Sequence, residues 1–337
     1  MNDKKAKSIA TIFAILAAAL YAINIPFSKV LLTEVEESMM AAFLYLGAGL
    51  GMFLYCGIRA LFRKCRTERF LPEGMRGAED ANATREKGTG EKEPLLDSRR
   101  KKELLAKEDL PYTVAMVVLD IIAPILLMMG IARTNSANVS LLNNFEIVAT
   151  SLIALFIFKE VISKKLWLAI GLVTAASVIL SFEGDGAFVF NSGSLFVLGA
   201  CLCWGFENNC TKMLSHKSSE EIVIIKGCFS GLGSLVVALI VGESIPEVKW
   251  ILAVLLLGFV AYGLSINFYI MAQKDLGAAK TSAYYSVAPF LGVAFGLVMI
   301  PERPALQFYV ALAIMVVATV LMTKDTMEAE SIVDKNA

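Results

Sequence analysis

The sequence is poor in charge and in the residues from which catalytic and metal sites are built. Charged residues make up 18% of its 337 residues, against about 25% in soluble domains, and His216 is its one histidine. The 31 basic and 31 acidic residues cancel, so the bulk charge does not indicate a nucleic-acid partner. No HExxH or GxSxG motif is present, and the spacing of Cys201 and Cys203 does not fit a metal site. We therefore expect no enzyme, no cofactor and no metal site.

Hydrophobic residues, in contrast, make up 57% of the chain and fall into long continuous runs. A helix needs about 20 apolar residues to cross a bilayer core about 30 Å thick, and each run reaches this length. Because the runs do not alternate, they indicate helices rather than the strands of a barrel. We therefore predict an all-α integral membrane protein with ten transmembrane helices. The predicted spans are 9–32, 38–61, 111–132, 137–158, 162–182, 194–214, 221–241, 250–272, 278–300 and 304–323.

Two polar segments lie outside these runs, the charged loop 64–109 and the tail 325–337. We expect the loop to be flexible, with at most a short helix before Leu110, and the tail to be disordered. Cytoplasmic segments carry the excess of Lys and Arg. If the N-terminus is inside, both polar segments are inside too, and the outside segments hold only Arg133, Lys249 and Arg303. Both termini are therefore predicted to be cytoplasmic.

The chain also repeats itself. "AALYAINIPFSKVLL" (18–32) aligns with "CLCWGFENNCTKML" (201–214) at an offset of 183, and 138–160 aligns with 280–302 at an offset of 142. The loop 64–109 accounts for the difference between the two offsets. We call the pairing of residues by these two offsets the repeat alignment. It predicts two five-helix repeats, 1–182 and 183–324. Because five is odd, the second repeat enters the membrane inverted, an arrangement typical of secondary transporters with a binding site between the halves.

These features resemble the ten-helix, EamA-type branch of the drug/metabolite transporter superfamily. The resemblance is carried by an aromatic–small pair followed by lysine in the first and sixth helices, and by an acidic residue after the fourth and ninth. The residues are Tyr21-Ala22…Lys29, Trp204-Gly205…Lys212, Phe158-Lys159-Glu160 and Ile300-Pro301-Glu302. Ile147 departs from the family's usual proline, which Pro289 keeps. The resemblance implies a carrier of small metabolites, amino acids, nucleosides or drugs in a bacterial plasma membrane, and it leaves the substrate open.

Three acidic residues lie within the predicted spans, namely Asp120, Glu146 and Glu207. A charge at a helix centre costs about 2.5–3.5 kcal/mol on insertion scales and usually faces a cavity or a partner. Glu146 has no Lys or Arg within a turn of its own helix, and Glu207 has no buried cationic neighbour in sequence. A carboxyl in such a place can take up a proton on one side of the membrane and release it on the other. We therefore predict Glu146, Glu207 and Asp120 as proton-coupling residues.

Polar and aromatic residues near these acids indicate a binding pocket. Asn143, Glu146 and Thr150 share one helical face. The asparagines fit a second interpretation equally well, since amides often form hydrogen bonds between membrane helices. For Glu146 and Glu207 a binding role is favoured, because an amide would join helices at lower cost. The predicted substrate-binding residues are Asn24, Asn143, Glu146, Glu207, Asn208, Tyr284 and Tyr285.

Other recurring residues are predicted to be structural. Lys29 and Lys212 lie at helix ends, from which a lysine can reach the membrane interface. Glu160 and Glu302 precede helices whose positive ends they would complement. The glycines of Gly47-x-x-x-Gly51 and Gly227-x-x-x-Gly231 are predicted to let two helices approach closely.

The leading functional hypothesis is therefore a proton-coupled secondary transporter of a small metabolite or drug-like solute. Its expected partners are that small molecule and the lipid bilayer, and a homodimer is left open. One alternative is a flippase for a lipid headgroup, which an opening of the pocket toward lipid would favour. Another is an integral-membrane sensor or enzyme, against which the short external loops and missing catalytic motifs argue.

Overall fold

The structure is a computed structural model that describes residues 3–70, 107–157, 159, 163–183, 189–214, 219–276, 281, 284–300 and 304–336. Part of the predicted loop, 71–106, lies outside these residues, and so do Glu160, His216 and Glu302. The roles predicted for these residues therefore stay predictions.

Each of the ten predicted runs contains a helix. The helices before residue 183 are α1 (Asp3–Ala22), α2 (Asn24–Leu31), α3 (Glu37–Phe70), a 3₁₀ turn (Lys107–Asp109), α4 (Leu110–Arg133), α5 (Ser136–Leu142), α6 (Phe145–Phe156) and α7 (Lys164–Ser181). A two-residue antiparallel pairing, β1 (Phe182–Glu183) with β2 (Val189–Phe190), follows. The later helices are α8 (Ser192–Met213), α9 (Ser219–Ile225), α10 (Gly231–Val241), α11 (Val248–Gly258), α12 (Ser265–Leu276), α13 (Ala288–Met299) and α14 (Leu306–Asn336). Two π-helical segments, Lys226–Ser230 and Phe259–Leu264, join α9 to α10 and α11 to α12.

Two helices extend beyond the predicted runs. The helix α3 continues to Phe70, into the predicted loop, and α14 continues to Asn336, through the tail predicted to be disordered. Neither extension contains a glycine or proline, and polar residues such as Lys, Arg and Glu are good helix formers. The expectation of a disordered tail is therefore wrong, because helix propensity continues the helix after the apolar run ends.

Eight helices, among those that the structure describes, are long and apolar enough to cross a membrane. A ninth, α13, is apolar but has 12 residues. The helix α8 has 22 residues but carries Glu207, Asn208 and Asn209, and it is not among the eight. Length and composition therefore support a multi-pass membrane protein.

Helix packing has a regular pattern across the chain. The helix α4 packs on α8 as α12 packs on α1, and α6 packs on α8 as α13 packs on α1. The pairs α3 with α10, α5 with α13 and α7 with α14 are also in contact. If each helix in these pairs is replaced by its counterpart in the other repeat, the same list of contacting pairs results.

The predicted close approach of the glycine-rich helices is confirmed. Gly49 of α3 and Gly227 of the first π segment face each other, and a Cβ added to Gly227 would overlap the Gly49 backbone. A Cβ on Gly49 would lie 2.5 Å from the backbone nitrogen of Cys228. The two helices therefore touch backbone to backbone, which any larger residue at either position would prevent.

Candidate substrate-binding site

A cavity of about 380 Å³ lies where several broken or irregular helices meet. Its aromatic wall consists of Tyr21, Tyr45, Trp204, Tyr262 and Tyr285. Its polar lining residues are Asn143, Asn144, Glu146, Glu207, Asn208, Lys226 and Ser286. The other lining residues are Ala48, Ile147, Val223, Gly227, Ile266, Ala288 and Pro289. A concave, largely apolar space with a few polar groups is what a small-molecule site requires.

An ionic cluster forms one side of the cavity. Lys226 Nζ lies 2.9 Å from Glu207 Oε1 and 3.2 Å from Asp120 Oδ2. The contact with Asp120 is ionic rather than an aligned hydrogen bond. The side chains of Asp120 and Glu207 are 0% and 3% exposed, and that of Lys226 is 21% exposed. One lysine thus stabilises two buried carboxylates, which would be costly to bury without a partner.

Further hydrogen bonds hold the two carboxylates in place. Tyr45 Oη donates to Asp120 Oδ1 at 3.2 Å and accepts from Trp204 Nε1 at 3.4 Å. Thr211, one turn along α8, donates its hydroxyl to Glu207. Asp120 also precedes Pro124 by four residues, and proline has no N–H to donate to the Asp120 carbonyl. The cluster therefore ties α3, α4, α8 and the first π segment together.

Glu146 occupies a different side of the cavity. It lies in the first turn of α6, just after the fourth run breaks between α5 and α6. Glu146 Oε1 accepts a hydrogen bond from Asn208 Nδ2 at 2.7 Å, and Asn208 Nδ2 also lies 3.3 Å from Thr150 Oγ1. Gly205 allows this contact, because a Cβ there would lie 2.7 Å from the Cβ of Ala149. No lysine or arginine among the described residues forms an ion pair with Glu146.

Four tyrosine rings form a continuous surface. Ring centroids lie 5.6 Å apart for Tyr45 and Tyr262, 5.8 Å for Tyr262 and Tyr21, and 5.9 Å for Tyr21 and Tyr285. Tyr21 Oη accepts a hydrogen bond from Asn143 Nδ2 at 3.3 Å. These spacings are typical of favourable aromatic pairs, and they fix the positions of the rings around the cavity.

The structure brings most of the predicted binding residues together. Asn143, Glu146, Glu207, Asn208 and Tyr285 line the cavity. Of the remaining predicted residues, Asn24 is buried behind Tyr262, and Tyr284 is 40% exposed and does not line the cavity. Asp120 lies behind the wall and contacts two lining residues, Tyr45 and Lys226.

The sequence analysis missed Lys226 as a site residue. Glu207 has no buried cationic neighbour in sequence, but Lys226 reaches it from a helix that begins later in the chain. A usable signal was present, since Lys226 is a charged residue within a predicted membrane span. It is also the first residue of a π-helical segment, a feature that often marks functional sites. Tyr262 lies in the other π segment.

Lys29 makes structural contacts at the end of a neighbouring helix. Its Nζ donates to the carbonyl oxygens of Ile131 at 2.6 Å and Thr134 at 2.7 Å, where α4 ends. A cation at this position satisfies carbonyl groups that lack helical partners and complements the negative end of the helix. Lys29 therefore caps α4 at the end of a predicted membrane span, and its reach toward the membrane interface stays a prediction.

The lining residues include five pairs that the repeat alignment matches. These pairs are Tyr21 with Trp204, Asn143 with Tyr285, Asn144 with Ser286, Glu146 with Ala288 and Ile147 with Pro289. Each half thus contributes corresponding positions to the same cavity. Ile147, which stands where the family usually has proline, and its counterpart Pro289 both line the cavity.

A model of the EamA-like transporter family matches residues 94–182 and 191–324. The chain belongs to this EamA-like transporter family. As an EamA-like transporter, it is a multi-pass protein of the lipid bilayer that binds small-molecule substrates. An uncharacterised transporter of Methanothermobacter thermautotrophicus is 24% identical over 297 residues, which cover 86% of this chain and 78% of the relative. A protein of known crystal structure shares the fold of this EamA-like transporter, with a TM-score of 0.60 and 14% identity over 94% of this chain and 96% of that one.

Proposed function

We propose that the protein is a proton-coupled secondary transporter of a small organic solute, with its binding site in the cavity between two inverted five-helix repeats. The repeats are 1–182 and 183–324, and both termini lie on the cytoplasmic side of a plasma membrane. The proposal rests chiefly on Glu146, a half-buried carboxylate in the cavity wall with no ion-pair partner among the described residues.

Two observations support the location of the site. The exchangeable packing of corresponding helices is expected if two similar halves are related by a two-fold axis. The family model also matches in two segments that separate at residues 182 and 191, close to the predicted boundary between the repeats. Five matched pairs in the cavity wall support a solute site on that axis.

Glu146 is suited to proton coupling because of its surroundings. It lies in the first turn of α6, at a break within a predicted membrane span. Broken helices at the centre of a transporter commonly form the substrate and ion sites. The neighbouring acids Glu207 and Asp120 are already paired with Lys226. Glu146 is therefore the carboxylate whose charge changes most freely when the halves move.

The test is solute transport in proteoliposomes across a panel of metabolites, with and without an imposed pH gradient. We expect wild-type protein to concentrate at least one solute when the gradient is present. Glu146→Gln should abolish this accumulation but retain exchange of labelled solute, because the amide keeps the shape and the contact with Asn208. Glu247→Gln, which removes an exposed carboxylate far from the cavity, is the matched control.

Two results would count against the proposal. If no solute responds to the gradient in wild-type protein, the transporter is not proton-coupled. If Glu146→Gln accumulates the solute as well as wild type does, Glu146 is not the coupling residue. The same experiment then applies to Glu207.

A further inference from the structure

We propose that the cavity binds a monovalent organic cation, with its charged group beside Glu146 and its apolar body against the tyrosine rings. This inference rests on the proposed function, since it names the class of solute that the same cavity takes. Four ionisable groups surround the site, Asp120, Glu146, Glu207 and Lys226. How these four groups pair decides which charge the solute carries.

Among the described residues, the cavity offers an anionic solute no free positive partner. Lys226 is within 3.2 Å of both Asp120 and Glu207, so two carboxylates already share its charge. A solute carboxylate or phosphate at Lys226 would have to displace one of them or add a third negative charge beside them. Like charges at such distances in a site of low polarity disfavour binding strongly.

A cationic solute, in contrast, meets an unpaired acid. Glu146 accepts one neutral hydrogen bond, from Asn208, and has no described cation within ion-pair distance. With three acids against one lysine, an added positive charge brings the cavity closer to neutrality. The first turn of α6 also places Glu146 where the helix dipole favours its negative form.

The tyrosine rings supply the second half of the site. Aromatic faces pack favourably against flat apolar and aromatic groups. Tyr21, Tyr45, Tyr262 and Tyr285 form a surface of adjoining rings in the same cavity as Glu146. A flat apolar part of the solute can therefore pack against these tyrosine rings.

The arrangement of charge also favours a solute with one charged end. In the repeat alignment, the charged residues Glu146 and Glu207 correspond to the uncharged residues Ala288 and Asn24. The positions that correspond to the two acids are therefore uncharged, and the tyrosine rings form a separate part of the cavity wall. An amphipathic cation can place its charged end beside Glu146 and its apolar body against these rings.

The test is calorimetric titration of the full chain in detergent micelles with three probes of similar size. Benzyltrimethylammonium is a permanent cation, benzyl alcohol is neutral, and benzenesulfonate is an anion. Titration of empty micelles corrects for partitioning of the probes. We expect the cation to bind about tenfold or more tightly than either of the others. Equal binding of the cation and the alcohol, tighter binding of the anion, or no binding of the cation would overturn the inference.

Variants then locate the cation. Glu146→Gln should weaken binding of benzyltrimethylammonium about tenfold or more, whereas Glu146→Asp should keep the preference for the cation over the alcohol. Tyr262→Leu removes one ring of the surface and should bind the cation more weakly. Glu247→Gln is the control for loss of an exposed acid. Unchanged binding in Glu146→Gln would overturn the assignment of the cation to this carboxylate.

Failure of this inference can be told apart from failure of the proposed function. If the cation binds in micelles but proteoliposomes accumulate no solute with a pH gradient, the transport proposal fails and the binding inference stands. If the protein accumulates neutral or anionic solutes and the cation does not bind, the transport proposal stands and this inference fails.

Discussion

Asn24 Nδ2 donates a hydrogen bond to Tyr262 Oη at 3.0 Å. With the repeat alignment continued back through the third helix, Asn24 corresponds to Glu207 and Tyr262 corresponds to Asp120. Lys226 joins Glu207 and Asp120. Even the local contacts match, because Ser28 donates to Asn24 one turn away, as Thr211 donates to Glu207. A neutral hydrogen bond therefore joins Asn24 to Tyr262, whereas ion pairs through Lys226 join the two corresponding residues, Glu207 and Asp120.

The first prediction concerns the cation in the charged cluster. Lys226→Met leaves two buried carboxylates without a partner, which typically costs about 3–5 kcal/mol of stability. We expect thermal unfolding in detergent to show a large fall in melting temperature. The double variant Lys226→Met, Glu207→Gln should recover part of the loss, because one uncompensated charge is removed. Lys249→Met, which breaks an exposed ion pair with Glu247, is the control and should change little.

The second prediction concerns the contact between Gly49 and Gly227. Gly227→Leu forces side-chain atoms into the backbone of α3, and overpacking of this kind typically costs about 1–3 kcal/mol or more. The variant should unfold at a lower temperature and give less folded protein in the membrane. Gly171→Ala is the matched control, since no atom lies within 4 Å of a Cβ added there. A control as unstable as Gly227→Leu would contradict the packing explanation.

The third prediction concerns the cap on α4. Lys29→Met removes the hydrogen bonds from Nζ to the carbonyl groups of Ile131 and Thr134. Hydrogen bonds from a charged donor contribute about 1.5–3 kcal/mol, so the melting temperature should fall while binding in the cavity is retained. Lys164→Met changes an exposed lysine and serves as the comparison. Loss of binding without loss of stability would instead indicate a direct role for Lys29 in the site.

The fourth prediction concerns orientation in the membrane. If both termini are cytoplasmic, Cys65 is inside and a membrane-impermeant thiol reagent should not label it in intact cells. Cells that have been made permeable should allow labelling, and a Cys65→Ala variant gives the background. A cysteine introduced by Glu247→Cys, on the opposite side and exposed, should be labelled in intact cells. The reverse pattern would show that the topology is inverted.

The helices could be predicted from the sequence because their signal is local. An apolar run of sufficient length has one stable form in a bilayer, and each predicted run contains a helix at nearly the predicted place. The breaks within them were not predicted. The fourth run is interrupted at Asn143 and Asn144, and two runs contain π-helical segments, although no proline lies at any of these three places. These irregularities depend on packing with distant helices, which a local pattern does not contain.

The binding residues were predictable to the extent that polarity is unusual in a membrane span. Glu146, Glu207 and Asn208 were found for this reason, and they line the cavity. Lys226 was passed over because its carboxylate partners are far away in sequence. Tyr45 was passed over because tyrosine is unremarkable in an apolar run, and only the fold brings its hydroxyl to Asp120.

The contact between Gly49 and Gly227 joins helices from the two proposed repeats. No side chain of either residue interlocks there, so tilting one helix against the other requires no change of side-chain rotamer at this point. A transporter must alternate between two arrangements of its halves, and energy stored in interlocked side chains would slow each exchange. We therefore expect the glycine contact to oppose rocking little, so that the barrier is set by the groups around the cavity, which we propose to bind solute and protons.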